Sequence, residues 1–399
     1  MAELNGNCDP RFQRVYDALA TNIRSGKEVG ASLCATIDGE QVIDLWGGWR
    51  EKEQVRPWTA DTIVNVFSGT KTVASLAVLM LHDRGKLDLF APVSQYWPEF
   101  AQNDKDKVDV RHLLSHTAGL PAWEPPFSMA EALDTKTSTA RLAAQAPWWE
   151  PGTRGSYHAS SFGHLVSELV HRVTGDTLSR FIASEIAGPL EADVYLGLQG
   201  AQMDRVATVY PPPDGEKPPV ATARAPTSPN DALAVERAIQ ARTKLGSFSG
   251  QKRDPLAIFN SPEWRRSELA GSSGHANGQG LARVMTVLAH GGMSRGKRLL
   301  SPETIALIFR EQFKGTDSYY LKPIRWGIGY ALAPLEHRER GPLPFVRPGR
   351  RTCYWYGSGG ALSLADVERG IAFGYTMNQC QNGRNMPNGS YYDAFYDCL

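Results

Sequence analysis

The spacing of apolar and polar positions predicts a helix and then a hairpin at the start of this chain. Residues 11–25 are predicted to be a helix, and the apolar runs 31–37 and 41–46 are typical of strands. The pair Asp38-Gly39 separates the two runs, and Asp-Gly between apolar runs favours a tight β-hairpin. We therefore expect the first sheet strands within the first fifty residues.

The next apolar segment, residues 69–84, predicts a helix that is buried on nearly every side. Helical spacing is present at Val73, Leu76, Ala77 and Met80. Apolar residues also fill other faces, at Val78, Leu79 and Leu81. Gly85 is a plausible stop signal. Such a helix is expected at the centre of the molecule rather than on its surface.

Helical patterns dominate from about residue 110 to 310, and strand patterns return after residue 325. The predicted helices are 162–173, 178–186, 232–243, 281–288 and 302–309, with a terminal helix at 390–398. The predicted strands are 326–332, 361–365 and 370–377. Two Pro-rich stretches, 210–230 and 341–350, are expected to be surface loops.

These elements predict an α+β fold. Strands lie near both ends of the chain and helices lie between them, so one antiparallel sheet built from both termini and flanked by helices is the most economical arrangement. The predicted domains are residues 1–85 with 320–399 for the sheet, and residues 86–319 for a mostly helical inserted domain.

Composition excludes several classes of protein. The chain has 399 residues, 42% of them hydrophobic and 21% charged, with a net charge of +1 and both signs dispersed. This pattern offers no electrostatic footprint for nucleic acid or for an anionic membrane surface. Residues 1–11 lack the apolar core of a signal peptide, and no apolar run reaches the length of a membrane span. A cytoplasmic location is expected, and the oligomeric state stays open.

The five cysteines are expected to be free thiols in a reducing compartment. Their number is odd and no Cys-x-x-Cys pair occurs. Cys34 and Cys353 fall in strand-like stretches, which favours small core residues. No cluster of His, Cys, Asp or Glu has the spacing of metal ligands, so no metal or organic cofactor is expected.

The candidate chemistry begins at residues 68–71, Ser-Gly-Thr-Lys, at the start of the buried helix. Ser-x-x-Lys recurs at 249–252 and 294–297, but in polar, Gly-flanked stretches typical of loops. Residues i and i+3 share a helix face, so Lys71 can reach the Ser68 hydroxyl. Lysine can serve as a base only when neutral, which burial and the positive helix end both favour. A capping serine beside a solvated lysine remains an equal alternative from the tetrad alone.

Four segments together resemble the serine β-lactamase and penicillin-binding-protein superfamily. The resemblance is closest to the class C-like branch that includes the family VIII carboxylesterases, and it spans residues 30–378. The segments are 66–72 (Val-Phe-Ser-Gly-Thr-Lys-Thr), 111–121 (Arg-His-Leu-Leu-Ser-His-Thr-Ala-Gly-Leu-Pro), 151–159 with its Tyr-His-Ala end, and 355–357 (Trp-Tyr-Gly).

The resemblance implies a role for several residues. Ser68 is expected to be the acylated nucleophile, Lys71 to hold or accept its proton, and Tyr157 to complete the base. The backbone N–H groups of Ser68 and Ser358 are expected to form the oxyanion hole. Further residues are expected to bind substrate: Trp355, Tyr356, Gly357, His158 and Trp123. His116 is expected to be structural.

Two departures from the superfamily pattern bear on the substrate. Trp355 stands where β-lactamases have the lysine of Lys-Thr-Gly, and an indole offers an apolar face instead of a charge. Ala159 stands where an asparagine would bind an amide. Arg350 and Arg351 are either solvated or replace the lost charge.

These features predict a serine carboxylesterase that forms an acyl-enzyme on Ser68 and hydrolyses hydrophobic or short-chain carboxylic esters. The first alternative is an acyltransferase with the same acyl-enzyme. A β-lactamase or a D-amino-acid peptidase is a weaker alternative, and an inactive scaffold is the weakest.

Overall fold

The computed structural model describes residues 3–213, 257–337, 341–381 and 386–399. The main strands of these ranges are β1 (Leu4–Cys8), β2 (Gly30–Ile37), β3 (Glu40–Gly48), β9 (Phe313–Thr316), β10 (Pro323–Trp326), β11 (Ala331–Leu332), β12 (Thr352–Tyr356), β13 (Leu362–Asp366) and β14 (Ile371–Met377). They form one nine-stranded sheet with the order β1-β3-β2-β14-β13-β12-β11-β10-β9, which is the central feature of the molecule.

Two small sheets complete the strand content of the described ranges. Their strands are β4 (Val64–Asn65), β5 (Val194–Tyr195), β6 (His275–Ala276), β7 (Met293–Ser294) and β8 (Lys297–Arg298). Strand β6 pairs with both β4 and β5, and β7 pairs with β8. The pairing of β4 with β6 matters for function because β4 leads directly to Ser68.

The sheet is antiparallel and is built from both ends of the chain, as predicted. Strand β14 pairs with β2 along its whole length, from Ile371 opposite Ile37 to Met377 opposite Ala31. The β2–β3 hairpin turns at Asp38 and Gly39, whose φ angles are +51° and +85°. Positive φ at both turn residues is the backbone that Asp-Gly accepts readily, which explains the hairpin.

The helices of the described ranges pack against the sheet and against one another. They are α1 (Gln13–Arg24), α2 (Thr70–Asp83), α3 (Val110–Leu114), α4 (Met129–Leu133), α5 (Thr135–Ala144), α6 (Ser161–Thr174), α7 (Leu178–Phe181), α8 (Gly188–Leu190), α9 (Pro262–Arg266), α10 (Gly278–Ala289), α11 (Pro302–Ile308) and α12 (Pro387–Tyr396). None of these helices combines the length and the apolar composition needed to cross a membrane.

Neighbouring residues of β14 show that helices cover both faces of the sheet. Phe373 contacts Phe395 of α12 with ring centroids 5.8 Å apart. A Cβ on Gly374 would meet Gly278 O of α10 at 2.2 Å, so glycine permits that close approach. Because successive strand residues point to opposite faces, α10 and α12 lie on opposite sides of the sheet.

Several sequence predictions are confirmed within a few residues, and others need correction. The segment 326–332 is not one strand: Trp326 ends β10, and the chain returns through a turn containing Gly327 and Gly329 to begin β11. The segment 178–186 changes from an α-helix to a π-helical turn at Ile182–Ala187. The sequence analysis missed strand β1, because its residues have no apolar pattern and only its pairing with β3 defines it as a strand.

Two kinds of prediction are not tested by the described residues. The predicted helix 232–243 and most of the Pro-rich stretch 210–230 lie outside those residues, and the domain boundaries stay a prediction.

The predicted environments of the second helix and of the cysteines are confirmed. Every residue of α2 from Thr70 to Leu81 is buried. The five cysteines are free thiols, and Cys34 and Cys353 are buried in β2 and β12. Residues 341–350 form neither helix nor strand, as expected for a loop.

A buried carboxyl group joins α1, α12 and the sheet. Glu28 Oε1 accepts hydrogen bonds from the hydroxyls of Tyr375 and Tyr391, and Asn22 donates to Tyr391 Oη at 2.7 Å. Glu28 Oε2 is buried without a partner among the described residues. Burial raises the pKa of Glu28 to about 7, and the two tyrosine hydrogen bonds only partly oppose that shift.

Glu28→Gln should therefore remove a pH dependence of stability. The pKa of Glu28 is higher in the folded protein than in the unfolded chain, so its protonated form stabilises the fold. This stabilisation is complete at pH values below the unfolded-state pKa, and it is lost as the pH rises through about 7. Relative to wild type, the variant should gain roughly 2 kcal/mol in free energy of unfolding between pH 5 and pH 8. Urea denaturation at both pH values measures this. The exposed Glu40→Gln is the matched control, and an equal shift in both variants would contradict the assignment.

Candidate active site

Ser68 lies in a strained turn between β4 and α2. The 3-10 turn Phe67–Gly69 precedes α2, and Phe67 has a φ of +47°. A left-handed backbone at an aromatic residue costs about 1–3 kcal/mol and persists only where the surroundings impose it. Here Val66 N–H donates to Gly274 O at 2.9 Å, and Thr70 Oγ1 donates to Phe67 O at 2.6 Å. These contacts fix the turn and leave Ser68 partly exposed.

Lys71 is buried directly below Ser68. Its Nζ lies 3.4 Å from Ser68 Oγ and donates to Gly271 O at 2.6 Å and to Ala159 O at 2.9 Å. The residue is 2% exposed, and burial lowers the pKa of its amine to about 7. A neutral amine has two N–H bonds and one lone pair, so the two carbonyls take both N–H bonds and leave the lone pair for Ser68.

Tyr157 brings its hydroxyl to the same place from the segment before α6. The hydroxyl hydrogen-bonds with Ser68, and the centroid of the ring lies 5.0 Å from Lys71 Nζ. Trp355 Nε1 donates to Tyr157 Oη at 3.1 Å. Burial raises the pKa of Tyr157 well above its usual value, although both hydrogen bonds lower it. The phenol is therefore protonated at neutral pH.

The segment 355–357, Trp-Tyr-Gly, closes the other side of Ser68. A Cβ on Gly357 would lie 2.1 Å from Val66 O, so only glycine lets the end of β12 reach the backbone before Ser68. Ser358 follows and is exposed, and in the described ranges its N–H has no backbone acceptor. The N–H of Ser68 lies at the start of a helical turn, where N–H groups have no partner within the turn. Both N–H groups are thus available to an external oxygen.

Trp355 lies in a different place from the one expected of a substrate-binding residue. It is 2% exposed, and its ring packs between Tyr157 and Trp326 at 4.8 and 5.0 Å. Its indole N–H is used on Tyr157. Because the ring is buried behind Tyr157, the structure assigns Trp355 to holding that hydroxyl rather than to contacting substrate.

Neither arginine takes the place of the missing lysine. Strand β12 begins at Thr352, which at about 3.3 Å per residue lies roughly 17 Å from Gly357. Arg350 and Arg351 come before Thr352, so they lie beyond the opposite end of the strand. Arg351 lies over the ring of Phe309 at 5.5 Å.

His158 is not available to a substrate, which corrects the sequence expectation. It is 0% exposed; Nδ1 lies 2.6 Å from Ser156 O, and Nε2 accepts from Leu120 N–H at 3.2 Å. Burial lowers its pKa to about 4, so the ring is neutral. Both ring nitrogens of His158 contact backbone groups, so the side chain stabilises the loops around Tyr157.

His116 also supports this region instead of pairing with Ser68. Its Nδ1 accepts from the His158 N–H at 3.2 Å, and its ring lies 5.0 Å from that of Tyr157. Desolvation, His158 and Lys71 hold the pKa of His116 well below its usual value. The ring is therefore a neutral packing partner of Tyr157.

The remaining predicted binding residues divide into two groups. Trp123 is 7% exposed, donates to Ser138 O at 2.9 Å and stacks on Phe127 at 4.1 Å. These contacts join it to α5 and to the residues before α4 rather than to Ser68, so the structure does not bring it beside Ser68. Tyr356 is half-buried beside Trp355 and hydrogen-bonds with Tyr320.

Sequence reasoning missed the loop between β9 and β10, which contributes Asp317, Tyr319 and Tyr320. The rings of both tyrosines lie 5.3 Å from that of Tyr157. The adjacent pair Tyr319-Tyr320 was visible in the sequence, but nothing in it placed this loop beside residue 157.

Comparison with known proteins finds relatives and solved structures that match nearly the whole chain. A family model described as Beta-lactamase matches residues 13–396. The esterase/beta-lactamase LipL of Mycobacterium tuberculosis is 31% identical over 379 residues, covering 94% of this chain and 82% of the relative. The crystal structure of a family VIII carboxylesterase is 35% identical, with a TM-score of 0.83 over 100% of both chains. A penicillin-binding protein homologue from Caulobacter crescentus is 32% identical, with a TM-score of 0.86 over 100% of both chains.

Gly357→Ala should disturb the turn that holds Ser68. The added methyl group must displace the backbone at Val66, which should destabilise the protein by about 1–3 kcal/mol. Denaturant unfolding measures this cost. Gly341→Ala is the matched control, because the atoms nearest to its added methyl group would lie 3.5 Å away and its φ is not positive. Equal stability of the two variants would contradict the close approach.

Proposed function

The chain belongs to the Beta-lactamase family, and from this membership we propose that it is a serine carboxylesterase acting through an acyl-enzyme. The similarity to an esterase relative and to a family VIII carboxylesterase structure, each over nearly the whole chain, supports ester hydrolysis. The observation that carries the mechanism is the buried Lys71 amine, whose lone pair is left for Ser68.

In the first step, Ser68 attacks the ester carbonyl carbon. Its proton passes to the neutral Lys71 amine at 3.4 Å, and a bond forms between Ser68 Oγ and the acyl carbon. The carbonyl oxygen gains the negative charge of the tetrahedral intermediate. The N–H groups of Ser68 and Ser358 receive that oxygen, and removal of one such donor costs about 3 kcal/mol in comparable sites.

In the second step, the intermediate collapses and expels an alkoxide. Because Tyr157 is protonated, its hydroxyl can give a proton to the leaving oxygen and regain one from the Lys71 ammonium. Water then replaces the alcohol, loses its proton to the same pair and attacks the acyl carbon. The bond between the acyl carbon and Ser68 Oγ then breaks, Oγ takes a proton back from the Lys71 ammonium, and the carboxylic acid is released.

We propose neutral, small hydrophobic or short-chain esters as substrates. Trp355 stands in place of a cation, and the tyrosines of the β9–β10 loop surround Tyr157 with aromatic rings. Gly357 and Tyr356 remain the proposed substrate contacts at the end of β12. A substrate carboxylate would find no lysine at position 355, which disfavours β-lactams.

The proposed mechanism uses side chains and backbone groups alone, with no cofactor, nucleic-acid or membrane partner. We also propose a cytoplasmic location, supported by the five free thiols.

Ser68→Ala should lower ester hydrolysis at least about 1,000-fold without changing the fold, because Ser68 carries the hydroxyl that faces the free lone pair of Lys71. A panel of p-nitrophenyl esters, a chromogenic cephalosporin and a D-alanyl peptide measures activity. Ser294→Ala, in another Ser-x-x-Lys tetrad, is the matched control.

Three results would redirect this proposal. Unchanged hydrolysis in Ser68→Ala would remove Ser68 as the nucleophile. Faster turnover of the cephalosporin or the peptide than of every ester would favour the β-lactamase or peptidase alternative. A new ester formed in the presence of excess alcohol, faster than acid release, would favour the acyltransferase.

The pH dependence of kcat/KM should report the Lys71 amine. The active form is neutral, so the rate should rise as pH passes through about 7 and then stay level while Tyr157 remains protonated. Initial rates on one p-nitrophenyl ester between pH 5.5 and 9.5 measure this profile. A flat profile would rule out Lys71 as the base, and so would a rate with no midpoint near 7 that is still rising at pH 9.5, as the ordinary lysine value of 10.5 requires.

A further inference from the structure

A buried carboxylate in the loop between β9 and β10 lies at the centre of the contacts around Tyr157. Asp317 is 0% exposed. Its Oδ1 accepts the N–H groups of Tyr319 at 2.9 Å and Tyr320 at 3.0 Å, and its Oδ2 accepts Trp326 Nε1–H at 3.1 Å. A buried carboxylate that receives this many donors is a strong local constraint.

The same carboxylate reaches the catalytic segment. The backbone N–H of Tyr157 also hydrogen-bonds to Asp317. One residue further along, Ser318 N–H donates to Gly155 O at 3.1 Å. The loop is thus joined to the backbone on both sides of residue 156, just before the Tyr157 side chain.

Asp317 also sets the aromatic wall behind the phenol. The Trp326 ring lies nearly parallel to that of Tyr157, at 11° and 6.1 Å, and packs on His116 at 4.4 Å. Trp355, whose N–H holds Tyr157 Oη, packs on the same indole at 5.0 Å. Asp317 therefore constrains Tyr157 through its backbone and through the two tryptophans.

We propose that Asp317 is a positioning residue that holds the Tyr157 hydroxyl against Ser68. This inference rests on the proposed function, because it assigns no new reaction and acts through Tyr157. Asp317 itself has no contact with Ser68 or Lys71 in the described residues.

The carboxylate cannot be replaced by an amide of the same shape. Both oxygens of Asp317 accept N–H donors, two on Oδ1 and the indole on Oδ2. Whichever way an asparagine amide is turned, its NH₂ group faces an N–H group that needs an acceptor. Asp317→Asn should therefore loosen Tyr157 while leaving the volume of the side chain unchanged.

The test compares Asp317→Asn in two backgrounds, wild type and Tyr157→Phe. In the wild-type background, kcat should fall about 100-fold with KM nearly unchanged, because a displaced catalytic group costs about that much. In the Tyr157→Phe background, Asp317→Asn should lower kcat by less than about threefold, because the hydroxyl that Asp317 positions is already absent. The rate of Ser68 labelling by a fluorophosphonate is measured beside ester turnover.

Asp366→Asn is the matched control. Asp366 is a buried carboxylate at the end of β13 that lies away from Gly357, and it accepts hydrogen bonds from Arg369 and from Tyr396 Oη. Asp366→Asn should leave kcat within about threefold of the wild-type value. Trp326→Phe is the second variant if Asp317→Asn does not fold. It removes one donor to Asp317 and should lower kcat several-fold only where Tyr157 is present.

The outcomes separate this proposal from the proposed function. Wild-type kcat in folded Asp317→Asn, or an equal loss in both backgrounds, overturns the positioning role. If wild-type Ser68 is labelled but no ester is cleaved, the esterase proposal fails, and the labelling rates still decide the role of Asp317. If Trp326→Phe lowers kcat by the same factor with and without the Tyr157 hydroxyl, the role of Asp317 is structural only.

Discussion

The chemistry proposed here depends on the removal of one amine from water. Lys71 is 2% exposed on a helix that is buried on every side, and no carboxylate in the described part of the chain offsets its desolvation. An isolated ammonium is costly to bury, so the interior favours the neutral form. The carbonyls of Gly271 and Ala159 then decide its orientation. In the proposed mechanism, burial keeps the Lys71 amine neutral so that it can act as the base, and the two backbone carbonyls fix its orientation.

The rest of the site can be understood as support for that arrangement. The left-handed backbone of Phe67 is an unfavourable conformation held by neighbours from distant parts of the chain, including Gly274 and the Gly357 approach. Strain of this kind is maintained only where the surroundings impose it. Tyr157 is constrained by Trp355 at its hydroxyl and by Asp317 at its backbone. The fold therefore gives up stability at one turn to hold a hydroxyl, an amine and a phenol together.

The sequence predicted the parts of this structure that have local causes. The Asp38-Gly39 turn, the buried helix and the spacing of Ser68 and Lys71 each follow from periodicity or turn chemistry within a few residues. One antiparallel sheet built from both ends of the chain was also predicted, but the strand order that places β14 beside β2 was not. The proposed role of Tyr157 came from the resemblance, because no local rule distinguishes a catalytic tyrosine from a core one.

The roles that failed were those set by long-range packing. Trp355, His158 and Trp123 are plausible binding residues by type, yet each uses its polar atoms on a neighbour that the sequence does not place beside it. Asp317 was missed for the same reason, since its donor Tyr157 lies far away along the chain.

The most direct test of the central claim is ¹⁵N NMR titration of the Lys71 amine in the folded protein. The account predicts a midpoint near 7, and a midpoint near 10.5 would contradict it.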